Sequence, residues 1–255
     1  MNIEKLANEI EWTLKEVAEK LKKSFSTELS IDTKSGKNDL VTNMDREIEQ
    51  FIINHLKSIY PTAQFISEEG YGDTVTDLGK LTFFIDPIDG TLNYVKERKD
   101  FASMIGVYYE GKPVIGAIMN VMAGKIYIGG PELGVFCGKN KLMTIPNQGL
   151  DESLITVSSR LLLQGEPKMQ EIIKKSSGLR MFGSAGIVFT RLIENRQSAY
   201  ISHLKPWDLV AGKILTESLG METKSIDESP INVLKSQSVI IGTKHLTQEV
   251  LNILN

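Results

Sequence analysis

Residues 83–93 read FFIDPIDGTLN, an apolar run that ends in two aspartates three positions apart and is followed by Gly90 and Thr91. If LTFFID (81–86) is a strand, Asp86 sits at its exit, Pro87 stops it from pairing on, and Gly90 lets the chain turn sharply. The turn then gathers carboxylates where uncompensated negative charge is costly. If a helix starts there, free peptide N–H groups at Gly90 and Thr91 make the same turn a seat for phosphate. Phosphate and carboxylates repel each other, so the arrangement makes sense with divalent cations between them. Oxygen ligands without His or Cys favour magnesium over zinc. The other reading of the stretch is a β-turn capped by its own aspartates.

Further carboxylates stand at similar places. Glu68 and Glu69 follow the apolar FIS, Asp45 lies three residues past Thr42 in DLVTNMD, and Asp208 opens the helical stretch WDLVAGKILTESLG. Each has a local explanation: a solvated acidic turn for the glutamates, and a favourable helix dipole for the aspartates.

The elements that must position these groups follow from periodicity. Ile3, Leu6, Ile10, Leu14, Val17 and Leu21 predict a long amphipathic helix. A second helix follows Thr42, with Met44, Ile48, Phe51, Ile52 and Leu56 as its buried stripe and Pro61 beyond its end. QFIS (64–67), LTFFID, SMIGVYY (103–109), PVIGAIMNV (113–121) and KIYIGG (125–130) read as strands separated by Gly, Pro and Asp turns. LITVSS (154–159) is a further strand. PKMQEIIKKSSG is helical, RMFGSAGIVFTRLIENRQSAYIS follows, and WDLVAGKILTESLG is the final helix, with Gly220 as its stop. Helices, then an antiparallel-looking strand group, then alternating strand and helix predict a mixed α and β layered sandwich in two halves that meet near 140–150.

Composition narrows the function classes. The 255 residues are 41% apolar and 24% charged, enough to bury a sizeable core with an ordinary globular balance. A net charge of −3 offers no footprint for nucleic acid or an anionic membrane, so a phosphate-bearing ligand must be attracted locally. Cys137 is the only cysteine, which excludes an intramolecular disulfide and a thiolate metal cluster. MNIEKLANEIEW carries glutamates at 4, 9 and 11 where a secretory signal needs an uninterrupted apolar core, and the longest apolar window (114–130) is broken by Asn120, Lys125 and glycines. A cytoplasmic protein is expected. Met119, Met122 and Met143 read as core fillers, and His55, His203 and His245 are scattered.

Taken together, DLVTNMD (39–45), EEG (68–70), DPIDGTLNY (86–94), GSAG (183–186) and PWDLVAG (206–212) resemble the motif set of the inositol monophosphatase family of magnesium-dependent, lithium-sensitive phosphatases, over residues 38–220. The resemblance implies a layered αβαβα sandwich of the inositol monophosphatase/fructose-1,6-bisphosphatase type. Its N-terminal half, 1–145, would carry the EE and DPIDGT motifs, and its C-terminal half, 146–255, GSAG and PWD. It implies two or three Mg²⁺ ions: a first on Glu68, Asp86 and the backbone carbonyl of Ile88, a second on Asp86, Asp89 and Asp208, and a third, weaker one on Glu68 and water. Asp45 and Thr91 would orient the attacking water on the first ion, with Glu68 also part of the catalytic set. Asp89, Gly90, Thr91 and Asp208 would face the phosphate, while Gly183, Ser184 and Ala185 line the alcohol side. Family relatives are commonly homodimers.

Two other readings stand beside this one. FFIDPIDGTL also resembles the haloacid dehalogenase phosphatases, whose signature is D-x-D-G-T with an aspartyl nucleophile; here the residue two before Asp89 is Pro87, so the spacing is wrong by one. A catalytically silent relative that binds a sugar phosphate or a protein would not need the water-orienting Asp45. On the substrate side, inositol-selective members carry a glutamate seven residues before the last metal-binding aspartate, and this chain has Ile201 there. Loss of that acceptor predicts a broader enzyme, among whose relatives are dual inositol phosphate/fructose 1,6-bisphosphate phosphatases and NADP(H) phosphatases. Arg180 is placed to meet a second phosphate or is a surface arginine paired to a carboxylate. Lys96, Arg98 and Lys99 draw in anions or form a solvated helix face. His203 is near enough in sequence to help move a proton, or is an exposed loop residue.

Overall fold

The computed structural model describes residues 1–26, 30–33, 40–165 and 167–255. Asp39, the first residue of DLVTNMD, lies outside the described residues. Helix α1 (Ile3–Ser24) buries Leu6, Ile10, Leu14, Val17 and Leu21 completely, as their spacing requires. A short antiparallel pair, β1 (Ile31–Thr33) and β2 (Leu40–Thr42), leads into helix α2 (Asn43–Ile59). The predicted stripe of α2 is buried except for Phe51, which is half-buried against Trp12 and His55.

The middle of the chain supplies β3 (Gln64–Ser67), β4 (Thr82–Asp89), the short helix α3 (Thr91–Lys96), β5 (Ala102–Tyr109), β6 (Lys112–Asn120), β7 (Lys125–Gly130), β8 (Gly134–Cys137) and β9 (Asn140–Lys141). These strands form a seven-stranded sheet in sequence order, antiparallel throughout except where β3 runs parallel to β4. The remainder gives β10 (Leu154–Val157), α4 (Ser159–Leu163), α5 (Pro167–Lys175), β11 (Gly178–Arg180), α6 (Ala185–Ile193), β12 (Ala199–Leu204), α7 (Pro206–Ser218), β13 (Glu222–Ser225), β14 (Gln237–Gly242) and α8 (Lys244–Leu254). Its sheet is five-stranded, ordered β11-β10-β12-β14-β13, with β11, β10 and β12 parallel and β14 antiparallel to its neighbours.

Helices and sheets alternate in five layers, αβαβα, as the resemblance implied. Helices α1 and α2 cover one face of the seven-stranded sheet; α6 and α7 fill the space between the sheets; α5 and α8 close the far face of the smaller one. The middle layer packs unusually close. A Cβ on Gly106 would fall 2.5 Å from Val210 Cγ1, and one on Gly116 would fall 2.3 Å from the carbonyl oxygen of Ala211. Those glycines let α7, with Asp208 in its first turn, lie directly on β5 and β6.

Three expectations are corrected. Strand β4 does not stop at Asp86: it pairs on to Asp89, with a register shift between the two aspartates that absorbs Pro87 in a bulge. Helix α7 is not the last, because β13, β14 and α8 follow, the helix burying Leu246, Val250 and Leu251. Met119 is a core residue, but Met122 and Met143 are 42% and 81% exposed.

Candidate active site

The site is assembled where β4, α2, the loop after β3, α6 and α7 meet. Helix α2 starts with a capping box: Thr42 Oγ1 accepts the N–H groups of Met44 (3.1 Å) and Asp45 (3.4 Å), and Asp45 Oδ2 accepts the Thr42 N–H at 2.7 Å. The dipole explanation for Asp45 is therefore correct for one oxygen. The other, Oδ1, faces Thr91 Oγ1 at 3.0 Å, and that hydroxyl lies equally near the Ile88 carbonyl, also 3.0 Å away. One hydroxyl proton serves two acceptors, so Thr91 is a switchable link between Asp45 and the bulge of β4. Burial pushes the Asp45 carboxyl up to about 6, even though the hydrogen bonds from Thr42 and Thr91 pull it down.

The bulge turns Asp86 and Asp89 toward the same region. Asp86 is 1% exposed, and among the described residues its Oδ1 has no hydrogen-bond partner. Burial first, then the charges of Glu68, Asp89, Asp208 and Asp45, hold its carboxyl well above the usual carboxylate range. Asp89 is better supplied: Oδ1 accepts the Ala185 N–H (2.9 Å), Oδ2 accepts the Gly186 N–H (2.7 Å), and the Ser184 hydroxyl donates to it as well. Asp89 thus sits at the N-terminus of α6, where the helix dipole favours a negative charge. Burial still lifts it to about 6. Asp208 rises to about 7 through burial, against the pull of the Lys205 N–H that donates to its Oδ2 at 2.9 Å.

Gly90 joins the DGT turn to the GSAG turn. Its φ is +87°, in the left-handed region, and a Cβ there would lie 2.9 Å from Ser184 Cβ. Asn93 Nδ2 donates to the carbonyls of Asp100 (2.8 Å) and Phe182 (2.6 Å), fixing the second turn to α3. Glu68 is mostly buried, and Lys205 Nζ stands 3.8 Å from its Oε1.

A cavity of about 270 Å³ opens from Asp89 and Asp208 into the space between β10, β12 and α6. Gly183, Ser184 and Ala185 line it, together with Thr156, Ser158, Ser159, Tyr200, Ser202 and His203. The buried Ser158 Oγ has no partner, and His203 Nδ1 lies 3.0 Å from Ser238 Oγ. Ile201 does not face this cavity. It is completely buried on the opposite side of β12, among Ile155, Val157 and Ile240, so its apolar side chain does not bear on substrate choice. Arg180 is exposed on β11, donates to the carbonyl of Leu179 at 2.8 Å, and is not among the lining residues. Lys96 is exposed; Arg98 and Lys99 border a separate cavity of about 580 Å³ with Lys125, Arg191 and Glu194.

As the side chains stand, no three acidic, imidazole or thiol groups among the described residues converge tightly enough to hold an ion. The donor set nonetheless fits a hard divalent cation: buried carboxylates that raise one another's proton affinity, and one carboxylate oxygen with nothing donating to it. Sequence reasoning missed Glu49, fully buried one turn after Asp45, whose carboxylate holds the loop carrying Glu68. Its i, i+4 spacing from Asp45 was the available signal.

A family model described as the inositol monophosphatase family matches residues 2–255. The inositol-1-monophosphatase of Bacillus subtilis is 30% identical over 242 residues, covering 93% of this chain and 91% of its own. Among solved structures, an IMPase/NADP phosphatase complexed with Mg²⁺ and phosphate superposes with a TM-score of 0.91 at 28% identity, covering 100% of this chain and 97% of that one. A staphylococcal inositol monophosphatase-1 in a lithium-soaked inhibitory complex gives 0.92 at 28% identity, covering 100% and 96%.

Proposed function

The chain belongs to the inositol monophosphatase family, and we propose that it hydrolyses inositol monophosphates and related small phosphomonoesters by direct attack of water, with no phosphoenzyme. The observation that carries this is Asp86: a buried carboxylate with an unpartnered oxygen, surrounded by Glu68, Asp89, Asp208 and Asp45, calls for compensating cations. Glu68, Asp86, the Ile88 carbonyl, Asp89 and Asp208 would hold two or three Mg²⁺ ions. Bound there, the metal supplies neutralisation of phosphoryl charge and a water acidic enough to attack near neutral pH.

The remaining steps belong to the protein. Asp45, held near 6, is largely ionised at neutral pH and can take a proton. Thr91 relays it, its hydroxyl donating to Asp45 Oδ1 while a lone pair accepts from the attacking water. Gly90 and Thr91 amides hold the phosphate, and Ser184, Ala185 and the hydroxyl-lined cavity beyond them receive the alcohol. Among the described residues no carboxylate lines that cavity apart from Asp89 and Asp208, and this supports a broad substrate range, including fructose 1,6-bisphosphate or NADP(H). A homodimer in the cytoplasm is the setting we propose; no described helix is long and apolar enough to cross a membrane.

The test is phosphate release from inositol 1-phosphate, fructose 1,6-bisphosphate and NADP⁺ with Mg²⁺, with EDTA, and with added lithium. Turnover that survives EDTA, or a trapped phosphoaspartate, overturns the mechanism. Silence toward all three substrates with Mg²⁺ bound makes the chain a binding protein.

A further inference from the structure

The loop between β3 and the segment leading to β4 carries Glu68 and Glu69, and among the described residues it pairs with no strand. Its far end is tied back to β3: the Asp73 N–H donates to the Phe65 carbonyl at 2.6 Å, and Asp73 Oδ2 accepts the Phe65 N–H at 3.0 Å. Its tip is held by Glu49. Glu49 Oε1 accepts the Ser67 hydroxyl (2.6 Å) and the Tyr71 N–H (3.0 Å), and Oε2 accepts the Glu69 N–H (2.7 Å). Donors thus arrive at both oxygens, and only a carboxylate, which accepts and never donates when ionised, satisfies them together. Glu49 is fully buried.

From this geometry we propose that Glu49 is a positioning residue for metal capture: it fixes the loop that presents Glu68, and it does so from the same helix, α2, that carries Asp45 one turn earlier. The metal loop and the water-orienting dyad are therefore registered to one rod. A helix displacement shifts both together, whereas a lost anchor frees the loop alone. The inference rests on the metal site proposed above, and its test separates the two.

In the full-length protein, Glu49→Gln keeps size and removes charge, and it turns an amide NH₂ toward a backbone N–H donor. It should weaken Mg²⁺ binding, read by calorimetric titration, by about 10- to 100-fold, the usual effect of losing an outer-shell partner. Amide exchange at residues 68–72 should accelerate, and kcat should recover at saturating Mg²⁺ while the Mg²⁺ requirement stays raised. Ser67→Ala, which leaves both backbone bonds to Glu49, should cost far less. If Glu49→Gln does not fold, Glu49→Asp, with the carboxylate drawn back by one methylene, should show the same direction of change. Mg²⁺ affinity and loop exchange both unchanged in a folded Glu49 variant would overturn the proposal. Faster loop exchange in a protein whose wild type binds no Mg²⁺ would support the anchor while refuting the metal site.

Discussion

Asp45, Asp89 and Asp208 each have a carboxylate oxygen held by backbone N–H groups, of Thr42, of Ala185 and Gly186, and of Lys205 respectively. On the other side of the site, Ser158, Ser159 and Ser202 line the cavity with hydroxyls whose protons rotate to suit what arrives, while the buried Thr156 hydroxyl donates to Gln197 Oε1. The first wall cannot adjust without breaking a helix cap, whereas the second adjusts at little cost. In the function we propose, the reaction belongs to the acidic wall and the choice of alcohol to the hydroxyl wall, so substitutions on the first should act on kcat and metal, and substitutions on the second on the ratio between substrates.

The largest effect should come from Asp86→Asn, which removes the charge that the neighbouring carboxylates already strain against. Activity should fall on the order of 10³-fold or more, with Mg²⁺ binding lost in calorimetry. The same variant should unfold at a higher temperature than wild type without metal, because the buried repulsion is gone. A destabilised Asp86→Asn that still binds Mg²⁺ would remove the acidic wall from the comparison. Asp45→Asn comes next, at about 10²-fold in kcat, with Mg²⁺ affinity nearly unchanged. Thr91→Ala should cost less than either, since it removes a relay rather than the base.

A pH experiment sharpens the same point. Asp45 and Asp89 near 6 and Asp208 near 7 lie above the ordinary 3.8, so the folded, metal-free protein binds protons more tightly than the unfolded chain. The resulting stabilisation is present in full below the unfolded value and is lost as pH rises through 6 and 7. The metal-free protein should therefore melt several degrees higher at pH 5 than at pH 8, at about 2–4 °C per kcal/mol. Mg²⁺ should reverse the trend, stabilising most at pH 8, where it does not compete with protons. A melting temperature flat in pH without metal would show that burial does not raise these carboxyls above their unfolded values.

How much of this was legible in the sequence depended on the range of the contacts. The stripe of α1, the capping residue Thr42 and the five named strands of the larger sheet follow local periodicity, which a linear sequence displays. The motif residues Asp45, Glu68, Asp89 and Asp208 lie within electrostatic reach of Asp86. The misses involve partners far apart in the chain. Glu49 meets a loop some twenty residues on, and Asp89 caps a helix nearly a hundred residues away. Pro87 looked like a strand breaker because the bulge that accommodates it is set by β5. Ile201 was assigned to the cavity by counting back from Asp208, but the alternation along β12 sends Tyr200 and Ser202 there and Ile201 to the opposite face.

The smallest effect should come from the hydroxyl wall. Ser202 lies on the cavity face of β12 beside Tyr200, in the cavity that Asp89 and Asp208 also line. Ser202→Ala removes one rotatable donor and acceptor from the alcohol side. It should change the ratio of kcat/KM between inositol 1-phosphate and p-nitrophenyl phosphate by about 3- to 10-fold, because a hydroxyl partner counts only when the substrate has a matching group. The kcat for p-nitrophenyl phosphate, which has no ring hydroxyls, should stay within about twofold. Arg180→Ala serves as the control, since its guanidinium donates to the neighbouring Leu179 carbonyl and does not line the cavity. If Arg180→Ala shifts the substrate ratio more than Ser202→Ala does, selection happens outside the cavity. The division between a fixed acidic wall and an adaptable hydroxyl wall would then fail at its second half.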